Sequence, residues 1–266
     1  MSGPPSPARD EIPSLRSLLR VATSAGRAAG RLTLESFGGR IVPEVKPDGS
    51  PVTPVDRAAE AELRRSIEEA FPDHTIVGEE GGISGTDPRV RWILDPIDGT
   101  KSFIHGVPLY SVLVAVEVDG AFSVGVIHLP ALGETVAAAT GLGCRWNGKR
   151  AHVSVVERLS EATVVTSSVR ALESTGLPFS RLANATRTQR GWGDGYGFAL
   201  VATGRADAMV DSGLHLWDIA PMFPILSEAG GSVTDWNGTR TADATNFVAS
   251  NGRVHEPLVR LLASRT

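Results

Sequence analysis

Asp95-Pro96-Ile97-Asp98-Gly99-Thr100 places two carboxylates three residues apart, around a proline, and runs straight into Gly-Thr. Pro96 biases Asp95 towards an extended conformation. The apolar run Arg91-Trp92-Ile93-Leu94 is therefore expected to be a short strand that ends with the Asp95 carboxylate at its tip, with Asp98 in the following turn. Gly99 lets the backbone approach a ligand closely. The N–H groups of Gly99 and Thr100, at a helix start, suit a phosphate.

Three other segments put carboxylates where strands end or helices begin: Gly78-Glu79-Glu80-Gly81, Trp217-Asp218 and Thr53-Pro54-Val55-Asp56. Singly, each has a bland reading. Asp before Gly is a turn, Glu-Glu a solvated surface, and Trp-Asp before Ile-Ala-Pro an N-cap. Jointly, apolar strands aimed at carboxylates gather negative charge in a partly dry cleft, which is unfavourable without a cation. The chain has one cysteine, Cys144, and no His-x3-His spacing. Oxygen ligands alone point to Mg2+, with Mn2+ as an alternative, and away from zinc. Carboxylates beside a phosphate cradle suggest metal-assisted phosphoryl transfer.

The chain around these clusters has 266 residues, 41% hydrophobic and 21% charged, with a net charge of −4. One cysteine excludes an internal disulfide scaffold. Ordinary apolar content argues against disorder, and 26 basic against 30 acidic residues give no bulk electrostatic case for nucleic acid. No run approaches the roughly 18 apolar residues of a membrane helix. Residues 1–11 read as a disordered lead without the features of a signal peptide, so a cytoplasmic location is expected.

Leu15, Leu18, Leu19, Ala22, Ala25, Ala29 and Leu32 recur at helical spacing, and a second helix is expected over Val55–Ala70, with Ala59, Leu63, Ile67 and Ala70 on one face. Leu109–Val118 and Ala121–Leu129 read as a hairpin across Asp119-Gly120, continued by Glu134–Ala139 and Gly143–Trp146. After residue 150, strands at 162–167, 208–210, 232–236 and 247–250 alternate with helices at 195–203, 219–229 and 254–263. An antiparallel half (12–150) and an alternating half (151–264) predict one composite α/β catalytic domain over 12–264. The six histidines and Cys144 read as structural or surface residues.

The motifs Gly78-Glu79-Glu80, Asp95 to Thr100, and Trp217-Asp218 to Gly231 resemble those of the Mg2+-dependent inositol monophosphatase superfamily. The resemblance covers nearly all of the chain from about residue 12. It implies a layered αβαβα sandwich, a homodimer, a small phosphorylated metabolite as substrate, and two or three Mg2+ ions. Glu79, Asp95 and the Ile97 carbonyl would hold the first ion. Asp95, Asp98 and Asp218 would hold the second, with a third near Glu79. Thr100 and Glu79 would orient and activate the attacking water, supported by Asp56, Thr53 and Lys46. Asp98, Gly99 and Thr100 would receive the phosphate.

Arg190-Gly-Trp-Gly-Asp194-Gly195-Tyr196, with Gly99-Thr100-Lys101-Ser102-Phe103, looks more like the histidinol-phosphate phosphatase branch than the inositol phosphatases. The chain differs from that branch at Gly195, where cysteine is common, and at Asp211, where glutamate is usual. Arg190, Asp194, Tyr196 and Asp211 are the candidate substrate contacts. Inositol is a neutral polyol, whereas histidinol phosphate carries an ammonium that carboxylates would bind by charge-assisted hydrogen bonds. The alternatives are an inositol-1-phosphatase or another small phosphate-ester phosphatase. A non-catalytic metal-binding module is the remote one, opposed by the completeness of the acidic set.

Overall fold

Leu18, Ala22, Ala25 and Ala29 are all fully buried on one face of helix α1 (Leu15–Ser36) in a computed structural model that describes residues 12–47 and 49–263. The expected lead (1–11) and residue 264 lie outside the described residues. Ser14 caps α1, its hydroxyl accepting from the Ser17 N–H at 3.2 Å. A two-stranded ribbon, β1 (Glu44–Val45) and β2 (Pro51–Val52), precedes helix α2 (Pro54–Ala70). Ala59, Leu63 and Ile67 of α2 are buried as expected, but Ala70 is exposed with Glu68 and Glu69, because the last turn projects into solvent.

Thr53 starts α2 with a reciprocal cap. Its hydroxyl accepts from the Val55 N–H at 3.1 Å and donates to Asp56 Oδ2 at 2.6 Å, and Asp56 Oδ2 also accepts the Thr53 N–H at 2.8 Å. Thr53→Ala should lower the unfolding free energy by about 1–2 kcal/mol, the usual cost of losing such a cap. Urea unfolding at fixed slope measures it.

Strands β3 (His74–Gly78), β4 (Gly82–Ser84), β5 (Asp87–Asp98), β6 (Ser111–Val118), β7 (Ala121–Leu129), β8 (Glu134–Ala139), β9 (Gly143–Trp146) and β10 (Lys149–Arg150) form one sheet. Its order is β10-β9-β8-β7-β6-β5-β3-β4. Every pair is antiparallel except β3 with β5, a parallel pair that period-2 patterning could not reveal. The strand expected to stop at Asp95 runs on to Asp98, and its register with β6 slips between the two aspartates. That irregularity accommodates Pro96, which has no N–H for the ladder. Both carboxylates thus project from one bulged strand instead of a strand tip and a turn. A short helix α3 (Thr100–Ile104) follows Gly99.

The second sheet has the order β12-β11-β13-β15-β14, from β11 (Thr163–Val165), β12 (Thr188–Arg190), β13 (Ala208–Ser212), β14 (Ser232–Asp235) and β15 (Asn246–Ser250). Its helices are α4 (Val169–Ser174), α5 (Phe179–Ala185), α6 (Asp194–Ala202), α7 (Leu216–Ile219), α8 (Met222–Ala229) and α9 (His255–Ala263). The single helix expected over 219–229 is two, α7 and α8, with Pro221 as the N-cap of the second.

Alternation along the strands separates three cores. Val112, Val114 and Val116 of β6 face α1 and α2, whereas Leu113 faces α6 and α8. In the small sheet Val165, Met209 and Phe247 join that middle core, and Val164, Val210 and Val248 pack against Leu172, Leu182 and Leu258 of α4, α5 and α9. Helices, sheet, helices, sheet, helices: the architecture is an αβαβα sandwich. Among the described residues no helix is long and apolar enough to cross a membrane.

Candidate active site

Because β3 lies parallel to β5, the chain leaving β3 delivers Glu79 to the bulge that carries Asp95 and Asp98; the Glu79 N–H donates to the Leu94 carbonyl at 3.2 Å. Helix α7 brings Asp218 from the other half of the molecule. Asp218 Oδ2 accepts the His215 N–H at 2.7 Å: the N-cap of α7 is His215 rather than Trp217 or Asp218, and Asp218 closes the cap from the third helical position. Lys46, Glu79, Asp95, Ile97, Asp98, Gly99, Thr100 and Asp218 line one cavity of about 380 Å³, together with Ser50, Gly213, His215 and Trp217.

Oxygen atoms of Asp95, Asp98 and Asp218 lie within 4.8 Å of one another. Burial pushes the Asp95 carboxyl well above the usual carboxylate range, and the charges of Glu79, Asp98 and Asp218 add to it. Burial does the same to Asp98, with Asp194 and Asp218 adding, against hydrogen bonds from Ser111 and the Gly195 N–H. Asp218 is pushed up to about 6 by burial, opposed by the His215 N–H, and it shares a hydrogen bond with Asp95. Three crowded carboxylates that hold protons too tightly, with oxygen donors only, fit a hard divalent cation that would take the protons' place. Asp95, Asp98 and Asp218 would hold it, and Glu79 lies beside them in the cavity.

Lys46 Nζ donates to Glu79 Oε1 at 2.6 Å and Glu80 Oε1 at 2.5 Å. Burial alone would lower the Lys46 pKa, but those two hydrogen bonds outweigh it and hold the ammonium well above its ordinary value. Glu60, a buried residue of α2 that sequence reasoning passed over, accepts the Glu80 and Gly81 N–H groups at 2.7 and 2.8 Å and so shapes the Glu79-Glu80 turn. Thr100 Oγ1 lies 3.0 Å from the Ile97 carbonyl and 3.3 Å from Asp56 Oδ1, which joins the α2 cap to the site. Gly99 takes φ +81° as the N-cap of α3, a left-handed conformation that favours glycine.

On the opposite wall, the Gly195 N–H donates to Asp98 Oδ2 at 2.5 Å, as does the Ser111 hydroxyl at 2.6 Å. A Cβ on residue 195 would stand 2.2 Å from Ser111 Oγ, so glycine here permits the start of α6 to clasp Asp98. The four candidate substrate residues are not placed alike. Asp194 is half-buried and lines a neighbouring cavity. Asp211 is 1% exposed, accepts the Ser167 hydroxyl and lines neither cavity. Burial pushes its pKa up to about 7. Arg190 lies on β12 with its guanidinium 6.0 Å over the Trp192 ring, and Tyr196 packs against the middle core; neither lines the two cavities just described.

Ser111, Ser167, His215 and Trp217 were not singled out as site residues. The two serines carry no motif. His215 and Trp217 stack at 5.1 Å beside Asp218; Trp217 belongs to the Trp217-Asp218 motif, and His215 lies two residues before it.

The model of the inositol monophosphatase family matches residues 14–266. A histidinol-phosphatase from Chlorobaculum parvum is 41% identical over 250 residues, covering 92% of this chain and 96% of that one. The Nus factor SuhB of Escherichia coli K12 is 34% identical over 252 residues, covering 90% and 93%. Among solved structures, an IMPase from Thermotoga maritima superposes with a TM-score of 0.86 at 35% identity, covering 92% and 96%.

Proposed function

This chain belongs to the inositol monophosphatase family and is a phosphoric monoester hydrolase, and we propose that it is a Mg2+-dependent enzyme whose substrate is L-histidinol phosphate. One observation carries the substrate reading: Asp194 Oδ2 lies 2.8 Å from the position a Cβ on Gly99 would occupy, which puts a carboxylate next to the phosphate cradle. An ammonium on the alcohol half of the ester meets it there. The histidinol-phosphatase relatives, 36–41% identical, support the same reading. The likeness to the Thermotoga IMPase favours inositol 1-phosphate as the second reading. A cytoplasmic homodimer belongs to the proposal on family resemblance.

When bound, Mg2+ supplies neutralisation of phosphate charge and a more acidic water. The chain supplies the rest. The N–H groups of Gly99 and Thr100 receive the phosphate oxygens at the start of α3. Thr100, braced by Ile97 O and Asp56, offers its hydroxyl oxygen to the attacking water, and Glu79 accepts the water's proton. Lys46 holds Glu79 in place and offsets the charge of Glu79 and Glu80. Attack at phosphorus breaks the bond to the alcohol oxygen, which takes a proton from solvent and leaves as L-histidinol; Glu79 returns its proton to solvent, and inorganic phosphate remains.

Asp194→Asn should lower kcat/KM for L-histidinol phosphate by about tenfold, the size of one charge-assisted contact, and that for myo-inositol 1-phosphate by much less. Equal losses would assign Asp194 a structural role and remove the electrostatic case for an ammonium substrate.

A further inference from the structure

The loop that carries Glu79 is short, Glu79-Glu80-Gly81, and is closed by the pairing of Gly78 in β3 with Gly82 in β4. Its back rests on α2. Glu60 Oε2 accepts the Glu80 N–H at 2.7 Å, and Glu60 Oε1 accepts the Gly81 N–H at 2.8 Å. Arg64, one helical turn on, donates from Nε to Glu60 Oε1 at 2.8 Å, from Nη2 to the Gly82 carbonyl at 2.7 Å and from Nη1 to Ser84 Oγ at 2.8 Å. One guanidinium thus ties the carboxylate that grips the loop to the strand on which the loop ends. The fit is close. A Cβ on Gly78 would stand 2.2 Å from Glu60 Oε1 and 2.6 Å from Arg64 Nη2, and one on Gly81 would stand 2.6 Å from Glu60 Oε1. Glycine on both sides of the Glu79-Glu80 pair is what lets the clamp approach.

We propose that Arg64, acting through Glu60, is a positioning residue for Glu79 in the hydrolytic reaction. This rests on the role given above to Glu79 as acceptor of the water's proton. The amides on either side of the Glu79 Cα are both held, the first by the Leu94 carbonyl of β5 at 3.2 Å and the second by Glu60 at 2.7 Å. Fixing both sets the direction in which the side chain leaves the backbone, and Lys46 holds its far end at 2.6 Å. Glu60 is 2% exposed, so its bond to Arg64 is a charge-assisted contact away from water and not a loose surface pair. Without Arg64, that carboxylate loses a partner and β4 loses its link to α2. The planar guanidinium serves Glu60, Gly82 and Ser84 together, which the compact ammonium of a lysine does not reproduce.

Arg64→Ala should lower kcat by about tenfold or more, as a small misplacement of a reacting group does. KM should stay within about twofold, because Gly99, Thr100 and Asp194 are untouched and only an interaction of the transition state is weakened. Amide hydrogen exchange should quicken at Glu80 and Gly81, which reads the loosened loop without turnover. Arg64→Lys should show the same split between kcat and KM, so the test survives if the alanine variant does not fold; circular dichroism identifies folded protein. A kcat within about twofold of the parent in a folded variant, or a loss carried by KM, overturns the positioning role. Glu79→Gln separates this from the reading beneath it. Parent-like turnover in Glu79→Gln would remove the role of Glu79 itself, whereas an inactive Glu79→Gln beside an unimpaired Arg64→Ala would remove only that of Arg64.

Discussion

Asp95→Asn and Asp218→Asn are each expected to lower kcat/KM by a thousandfold or more while leaving the chain folded, an effect of about 4 kcal/mol on the barrier. Asp95 is 2% exposed and sits where the two carboxylates of β5 meet Asp218 from α7. In the metal-free protein that convergence is repulsive, which is why burial and neighbouring charge hold the Asp95 proton so tightly. An amide of the same shape relieves repulsion but forfeits a charged ligand. Activity and stability should therefore separate. Without metal, at a pH where the parent's cluster is ionised, Asp95→Asn should unfold at or above the parent temperature even though it is inactive. Retained turnover in either variant would remove the carboxylate cluster from the chemistry, and loss of fold would make it a structural element.

The second large effect links metal, pH and stability. Asp211, pushed up to about 7, together with Asp95 and Asp98, binds protons more tightly in the folded chain than in the unfolded one. A carboxylate with a raised folded pKa contributes stability that is fully present below its unfolded value near 3.9 and is lost as pH rises from there through the folded pKa. Half-buried His128, lowered to about 4 by desolvation, acts in the opposite sense below its unfolded value near 6.5. The carboxylates therefore dominate above pH 6.5. Without metal, Asp211 alone should lower the unfolding temperature by about 2–3 °C between pH 6.5 and 8.5, at roughly 2–4 °C per kcal/mol. Mg2+ in hundredfold excess over its dissociation constant should raise it by about 5–10 °C at pH 8.5. The gain should shrink at pH 6.5, where protons compete for the same oxygens. Calorimetry with EDTA and with Mg2+ at both pH values measures this. A Mg2+ effect independent of pH would contradict the crowded-carboxylate reading.

Helical and strand periodicities made most of the sandwich legible, because burial of one face leaves a repeat in the sequence. Ala22, Ala25 and Ala29 announce α1, and Val112, Val114 and Val116 announce one face of β6. What lacked a repeat was lost: the ribbon around Lys46 and the stretch over α4 and α5, where helices of six and seven residues are too short for a period to emerge; the start of α3 was legible from Gly99-Thr100 alone. Pro96 misled for a definite reason. Proline usually ends a ladder, but a bulge between Asp95 and Asp98 absorbs its missing N–H and lets β5 continue. The acidic residues stood out because unpaired charge after apolar strands is costly. Asp211 had the same sequence appearance as Asp194 but lies buried behind Ser167, a difference set by tertiary packing that composition does not carry.

The substrate assignment is tested most directly by kcat/KM for L-histidinol phosphate and myo-inositol 1-phosphate, measured side by side with the same Mg2+-loaded protein. Expected is a preference of about tenfold or more for L-histidinol phosphate, the discrimination a carboxylate-lined site gives an ammonium over a neutral polyol. Equal values, or a preference for the inositol ester, would contradict it.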